Sequence, residues 1–153
     1  RLLSEISKDG LCRTKNTYFS IIVIMNSPGG LINEGFKLGR LFRRYKAKTA
    51  LVGGKECASA CAVAFLGGWY RFMRPNSVLM FHAPYTKSGL LGMSANCRDA
   101  ATRQRLKTYY TQMLGQNTAS LLMDRTMSYC STTEGWEVNA DAAKLYGFTN
   151  SSI

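Results

Sequence analysis

The stretch YFSIIVIMNSPGG, residues 18–30, decides the fold of this chain. Its first eight residues are almost all apolar and rich in β-branched side chains, which predicts a strand buried on both faces, as in a parallel sheet. The turn-forming residues 26–30 end that strand abruptly. The stretch therefore predicts a buried strand that feeds a tight turn.

Helices and strands are predicted to alternate along the rest of the chain. Apolar side chains recur at near-helical spacing over 31–46, which predicts a helix directly after the turn. Further patterns predict a short helix over 1–9, a strand over 49–52, a buried helix over 57–66, a strand over 77–81, one long or two shorter helices over 94–125 with a weak point at Gly115, and a last helix over 139–146. This alternation indicates an α/β fold with parallel strand pairing.

The composition is that of a globular protein. A length of 153 residues predicts a single domain over 1–153, and an apolar fraction of 46% excludes disorder as the main state. The net charge of +11 permits an anionic partner without identifying one. We expect no nucleic-acid partner, because basic and aromatic residues do not interleave. We also expect no membrane span, because no window of about 18 residues is apolar throughout.

Five cysteines are too few for a disulfide scaffold, and their odd number leaves at least one thiol unpaired in a monomer. With one histidine and no Cys-x-x-Cys pair, we expect neither a metal site nor a cofactor. Cys57 and Cys61 flank Ser59. The favoured interpretation is that both are small, buried packing residues. A disulfide in an oxidising compartment, or a redox-sensitive pair beside the serine, is the alternative.

Three segments could carry chemistry. Ser59 stands at a strand-to-helix turn among very small residues, where a hydroxyl can project and a helix N-terminus favours an oxyanion. His82, the single histidine, follows an apolar strand. The paired Gly29 and Gly30 can expose backbone N–H groups to a ligand. Each feature also has a structural explanation: a helix cap, a satisfied histidine and an ordinary turn.

Taken together, these segments resemble the ClpP family of serine peptidases. The family's I-N-S-P-G-G, A-S-M-G-A and L-P-N-S-R-I-M-I-H-Q-P motifs are matched by NSPGG (26–30), ASA (58–60) and RPNSVLMFHAP (74–84). The segment NADAAKLYGF (139–148) is similar to the family's S-A-x-E-A-x-x-Y-G-L. The resemblance extends over residues 1–150, and Cys61 departs from it where the family usually has glycine.

The resemblance implies a crotonase-type fold of stacked ββα units with a helical handle at about 94–125. It implies that Ser59 is the nucleophile, that His82 is the general base, and that the N–H groups of Gly30 and Ala60 form an oxyanion hole. It further implies a peptide or protein substrate and a homo-oligomer. The sequence has no ATP-binding loop, so an unfoldase or regulatory partner would be a separate chain.

The acid that would orient His82 is the main departure from the family pattern. The family's aspartate position falls on Gly135. Glu134, one residue away, is the first candidate for a third catalytic residue, and Asp124 is the second. The remaining alternative is that no acid takes part and that a backbone carbonyl or water orients the imidazole.

Two further functions stay open at this point. One is a catalytically inactive ClpP-like scaffold or binding module, favoured by the glycine at the acid position. The other is a crotonase-type enzyme that binds an acyl-thioester such as acyl-CoA. The cysteines and the basic charge favour an exported protein, and a cytoplasmic one stays open.

Overall fold

Two three-stranded sheets form the central part of the described structure. The structure is a computed structural model that describes residues 11–14, 17–87, 93–94, 97, 99–131 and 133–151. The first sheet has the order β3-β4-β6 and is parallel throughout. The second has the order β10-β7-β5, with β5 parallel to β7 and β10 antiparallel to it. The parallel pairing and the α/β class agree with the sequence prediction.

The strands and helices of these layers are short. The strands are β1 (Leu11–Thr14), β2 (Thr17–Ser20), β3 (Ile22–Ile24), β4 (Lys48–Leu51), β5 (Glu56–Ala58), β6 (Tyr70–Met73), β7 (Val78–Phe81), β8 (Thr86–Lys87), β9 (Met93–Ser94) and β10 (Trp136–Asn139). The helices are α1 (Ile32–Arg44), α2 (Ala60–Phe65), α3 (Ala100–Leu114), α4 (Gln116–Ser128) and α5 (Ala140–Leu145). The pairs β1-β2 and β8-β9 are separate two-stranded ribbons.

The opening stretch does not form one doubly buried strand, and that prediction is wrong. The chain makes β2 and β3 with a break at Ile21. Within the described sheets β3 pairs only with β4, and Ile22 and Ile24 are 53% and 65% exposed. A continuous apolar run indicates strand but does not say which faces are covered, and an edge strand leaves one of them open.

Three other segments differ from the predictions. The helix predicted over 57–66 begins only at Ala60, because residues 56–58 pair with β7 as strand β5. The aromatic and basic sequence of residues 69–74 is compatible with an edge hairpin that exposes its aromatic side chains. These residues form no hairpin: β6 is an edge strand of the parallel sheet, and Trp69 and Tyr70 are exposed. No strand was predicted over residues 136–139, where β10 forms. The helix predicted over 1–9 lies outside the described residues.

Two helices occupy the segment predicted as one long or two shorter ones. The break is at Gly115, the predicted weak point, where φ is 81°. Tyr109 and Tyr110 of α3 are fully buried, and the Tyr109 hydroxyl donates to the Val63 carbonyl oxygen at 2.8 Å. Burial raises the pKa of both phenols, so each stays neutral. Helix α3 is thus fixed against α2, the helix that follows Ser59.

Small residues let α1 and α2 approach closely. A Cβ on Gly35 would lie 2.7 Å from the Ala60 carbonyl oxygen, and one on Gly67 would overlap the backbone of Gly39. A Cβ on Gly39 would overlap the Tyr109 hydroxyl. Because these glycines have no side chain, α1 can pack directly against α2. This close packing fixes the position at which α2 begins.

Two arginines, the half-buried Arg43 and the buried Arg71, stabilise the end of α2 without an ion pair to a carboxylate among the described residues. Arg43 donates to four backbone carbonyls, among them Gly68 at 3.3 Å and Met113 at 3.2 Å. Arg71, 5% exposed, donates to Gly68 at 3.0 Å and Phe148 at 2.7 Å. Burial, with a smaller contribution from Arg43, lowers the pKa of Arg71 to about 10. Carbonyls at a helix C-terminus carry partial negative charge, so they are suitable acceptors for a buried cation.

The close approach of α1 to α3 predicts energetic coupling between Gly39 and Tyr109. We expect Gly39→Ala to lower the free energy of unfolding by about 1–3 kcal/mol through overpacking. Tyr109→Phe alone should cost about 1 kcal/mol through the lost hydrogen bond. Because Phe removes the overlapping oxygen, the double variant should cost at least about 1 kcal/mol less than the sum. Urea unfolding of the four proteins measures the cycle, and additive losses would contradict the packing described.

No helix among the described residues is both long and apolar enough to cross a bilayer.

Candidate active site

Ser59 occupies a strained turn between β5 and α2. Its φ is 56° and its ψ is −124°, a backbone conformation that is unusual for a residue with a side chain. The turn is held from both sides: the Ser59 N–H donates to the Met80 carbonyl oxygen at 2.8 Å, and the Ser59 carbonyl accepts from Val63 at 3.1 Å. A sharp strand-to-helix turn with positive φ is the geometry that projects a nucleophilic hydroxyl from a sheet. The hydroxyl itself donates to no acceptor within the described residues.

Gly29 packs directly beneath this turn. Its φ is 108°, and a Cβ at this position would lie 2.7 Å from both the Ala58 carbonyl oxygen and the Ser59 Cβ. The Gly29 N–H donates a hydrogen bond to the Ser27 hydroxyl oxygen at 3.1 Å. The turn after β3 therefore supports the turn after β5, and only glycine satisfies both the conformation and the space.

His82 follows β7 and lines the same cleft as Ser59. Strands β5 and β7 are parallel neighbours, with Ala58 opposite Met80, so both side chains emerge at the carboxyl ends of adjacent strands. The Nδ1 atom of His82 lies 2.9 Å from the Ala83 carbonyl oxygen. A carbonyl can only accept, so Nδ1 carries a proton, and in the neutral ring Nε2 then keeps its lone pair. This is the tautomer that a general base requires.

The sequence around Ala83 explains why its carbonyl is available. Pro84 restricts Ala83 to extended conformations. The Ala83 N–H donates to the Tyr129 carbonyl oxygen at 3.0 Å, which fixes the peptide to the end of α4. The Tyr85 ring stacks on the His82 ring with centroids 5.7 Å apart. The sequence left open that a backbone carbonyl orients His82 but did not identify it as that of Ala83, although the His-Ala-Pro order signals the restricted peptide. The stacking ring of Tyr85 was not predicted.

Two backbone amides border the Ser59 turn. Ala60 is the first residue of α2, and the amides of a first helical turn have no acceptor within their helix. The Gly30 N–H donates to no protein acceptor in the part of the chain that the structure describes, and Gly30 lines the cleft. These are the two donors that the sequence resemblance named.

Neither candidate acid forms a hydrogen bond or ion pair with His82 among the described residues. The side chain of Glu134 is exposed. Asp124 borders a different cavity, beside Arg103. Extending the β7–β10 register from Trp136 opposite Phe81 places Gly135 opposite His82, and a Cβ there would overlap Met80 and lie 2.9 Å from the Phe81 carbonyl oxygen. The geometry thus places a backbone carbonyl, not a carboxylate, at Nδ1.

The cleft around Ser59 and His82 has a volume of about 1240 Å³. Its walls come from α1, α3 and the ends of β5 and β7. Apolar side chains such as Phe36, Val63 and Leu106 line it together with two arginines, Arg40 and Arg105. It is large enough for an extended peptide segment. Neither arginine was predicted to line the cleft, because nothing in the sequence placed α3 beside α1.

The two cysteines that flank Ser59 are both buried, as the packing interpretation expects, but they are joined to each other. They are therefore a disulfide pair, the alternative that the sequence left open, and not free packing residues. The Cys57–Cys61 bond closes over the Ser59 turn, from the strand to the helix. A second disulfide joins Cys97 to Cys130, next to Tyr129, whose carbonyl holds Ala83. Each disulfide therefore supports the backbone beside one of the two candidate catalytic residues. Spacing alone could not show this, because buried free cysteines give the same pattern.

The two disulfides should differ in their response to a dithiol reductant. Cys130 is exposed, whereas Cys57 and Cys61 are 0% and 8% exposed. We expect Cys97–Cys130 to be reduced first in the native protein, with a loss of about 3–4 kcal/mol in the free energy of unfolding, since its sequence separation is 33. Alkylation at increasing reductant concentration, followed by peptide mapping, gives the order. Simultaneous reduction of both bonds would contradict the burial described.

Comparison with known proteins identifies the family. A family model described as Clp protease matches residues 11–152, so the chain belongs to the Clp protease family. It is 25% identical over 140 residues to the ATP-dependent Clp protease proteolytic subunit 2 of Pseudomonas aeruginosa, covering 87% of this chain and 65% of the relative. It is 26% identical over 137 residues to the corresponding subunit 3 of Rhizobium meliloti, covering 85% of this chain and 66% of that relative. The chain thus spans just under two thirds of the length of these curated relatives.

Solved structures agree with the fold. ClpP1 from Listeria monocytogenes superposes with a TM-score of 0.60 at 23% identity, covering 84% of this chain and 70% of that one. A variant of the same protein superposes with a TM-score of 0.58 at 22% identity and the same coverage. The ClpP-like α/β fold predicted from the sequence motifs is confirmed.

Proposed function

We propose that this chain is a serine peptidase that cleaves peptide bonds with Ser59 as nucleophile and His82 as general base. The observation that carries the proposal is the combination of a strained, positive-φ Ser59 turn with a His82 tautomer whose Nε2 lone pair is free in the same cleft. Membership of the Clp protease family supports a peptidase-like function at a coarse level.

The reaction follows from these groups. Nε2 of His82 accepts the Ser59 hydroxyl proton while Oγ attacks the carbonyl carbon of the scissile peptide. The negative charge that develops on the carbonyl oxygen is stabilised by the N–H groups of Gly30 and Ala60. His82 then returns the proton to the leaving amine, and a water molecule repeats the sequence to release the acyl group from Ser59.

The Ala83 carbonyl performs part of the work that an acid performs in a catalytic triad. It fixes the ring and its tautomer through the hydrogen bond to Nδ1. It carries no full negative charge, so it stabilises the imidazolium of the transition state less than a carboxylate does. The group bonded to Nδ1 is the Ala83 carbonyl. Glu134 remains the candidate acid for a third catalytic residue, and its substitution tests whether it takes part.

The proposal extends to the partners of the protein. The curated relatives are described as proteolytic subunits of ATP-dependent proteases. We propose that this chain likewise forms a homo-oligomer and receives substrate from a separate unfoldase or regulatory partner. The two disulfides favour an oxidising compartment.

Product analysis by mass spectrometry tests the proposed activity. The full chain, with its disulfides intact, is incubated with an unfolded protein substrate, and new peptide termini are counted. We expect cleavage by the wild type and none by Ser59→Ala. Absence of cleavage by both would favour the inactive scaffold, and saturable binding of acyl-CoA by such an inactive protein would favour the acyl-thioester alternative.

A further inference from the structure

Helices α1 and α3 meet in a seam beside the cleft, made of Asn33, Phe36 and Arg40 on α1 and of Arg105, Tyr109 and Gln112 on α3. Of these six residues, Asn33, Phe36, Arg40 and Arg105 line the cleft. Arg105 Nη1 donates to Asn33 Oδ1 at 3.2 Å, and Arg40 Nε donates to Gln112 Oε1 at 3.3 Å. The bridging residues are seven apart on each helix, so the two helices run in the same direction. The two bridges are about 10 Å apart, two helical turns.

Aromatic rings lie between the two bridges. The Phe36 and Tyr109 rings are 5.0 Å apart, and the Arg40 guanidinium stands 5.5 Å from the Tyr109 centroid and 5.8 Å from the Phe36 centroid. A guanidinium above aromatic rings is held in place by attraction to their electron-rich faces. Arg40 is therefore positioned by the fold while its charge remains uncompensated.

The charge balance along the seam is positive. Of the cleft's two glutamates, Glu34 is paired with Lys37 at 2.7 Å. Glu56, on β5, forms no ion pair with either seam arginine among the described residues. Arg40 and Arg105 face the cleft, and neither forms an ion pair with a carboxylate among the described residues. Asp99, which does not line the cleft, has a pKa lowered mainly by hydrogen bonds from Thr102 and to a smaller extent by Arg105, so the charge of Arg105 is partly balanced and that of Arg40 is not.

The seam arginines differ from the structural arginines of the same molecule. Arg43 and Arg71 direct their guanidinium groups into backbone carbonyls and are largely enclosed. Arg40 makes a single hydrogen bond and Arg105 makes two, the second to Thr102 at 3.2 Å. Since a guanidinium carries five N–H donors, most donors at the seam remain available.

We propose that this seam binds a carboxylate of the substrate peptide, so that the cleft selects acidic peptides. The inference rests on the proposed function for the identity of the ligand as a peptide. Arginine suits this role because its planar fork can donate two parallel hydrogen bonds to one carboxylate. The carboxylate can belong to an acidic side chain or to the C-terminus of the peptide, and the experiment separates the two.

Calorimetric titration of the Ser59→Ala variant measures binding without cleavage. Three decapeptides of one neutral sequence are compared at low salt: an end-capped peptide with a central Glu, the same with Gln, and the Gln peptide with a free C-terminal carboxylate. We expect the Glu peptide to bind about 5-fold more tightly than the capped Gln peptide for each arginine engaged. Tighter binding of only the third peptide would assign the seam to the C-terminal carboxylate.

Variants of matched arginines complete the test. Arg40→Gln and Arg105→Gln should each reduce the preference for the carboxylate. Arg44→Gln and Arg103→Gln remove exposed arginines of the same helices that do not line this cleft, and should leave the preference unchanged. Equal affinity for all three peptides, no measurable binding of any of them, or an equal effect of the control variants would overturn the inference. A carboxylate preference in a wild type that cleaves nothing would support the inference and contradict the proposed function alone.

Discussion

His82→Ala is expected to lower the rate of peptide hydrolysis by about 10³- to 10⁴-fold, because Ser59 then has no group to accept its proton. Two observations identify His82 as the group that accepts this proton. His82 is the only histidine of the chain, and its Nδ1 bond to Ala83 leaves Nε2 as the base. Initial rates on one peptide, with circular dichroism to confirm folding, measure the effect.

Glu134→Gln is the matched control for the same measurement. The side chain of Glu134 is exposed and forms no hydrogen bond or ion pair with His82 among the described residues, so we expect its loss to change the rate by less than roughly threefold. Removal of a triad acid elsewhere costs about 10⁴-fold. A fall of that size in Glu134→Gln would show that a carboxylate, not the Ala83 carbonyl, orients the base.

Gly29→Ala is expected to damage the site nearly as much as loss of the base. The new methyl group would meet the Ala58 carbonyl and the Ser59 Cβ, both at 2.7 Å, at a φ of 108°. Relief of these contacts must displace either the turn after β3 or the turn that carries Ser59. We expect a loss of at least about 100-fold in activity, since a displacement near 1 Å has that effect.

Gly54→Ala is the control variant, because it introduces backbone strain at a positive φ without a close contact to the Ser59 turn. Gly54 also has positive φ, 72°, but a Cβ there meets nothing within 4 Å. We expect both variants to lose about 1 kcal/mol of stability from the conformation alone, with the rate reduced only in Gly29→Ala. Equal rates in the two variants would mean that Gly29 does not support the Ser59 turn.

Much of this architecture could be predicted because local patterns and motif resemblance agree. The apolar run before Asn26 indicates strand, the glycine-rich turn ends it, and the small residues after Ser59 indicate a buried helix. The resemblance to the ClpP family placed these segments in one fold. The break at Gly115 was predicted for the same reason: glycine is a weak point in a helix. Strand β10 escaped prediction, because Trp136–Asn139 (WEVN) contains no continuous apolar run of the kind that indicated the other strands.

The features that could not be predicted depend on contacts between distant segments. The exposure of Ile22 and Ile24 depends on which strands pair with β3. The bond between Cys57 and Cys61 depends on a turn that brings strand and helix together, since four residues of spacing also fit a packed helix. The seam of Arg40 and Arg105 depends on α3 lying beside α1, 72 residues away in sequence.

Covalent labelling of Ser59 tests the central claim most directly. The purified, oxidised protein is treated with a fluorophosphonate probe, and its intact mass and peptide map are measured beside Ser59→Ala and His82→Ala. The proposed mechanism predicts one adduct, on the peptide that contains Ser59, which is absent from both variants. A folded wild type that forms no adduct, or an adduct that persists in Ser59→Ala, would contradict it.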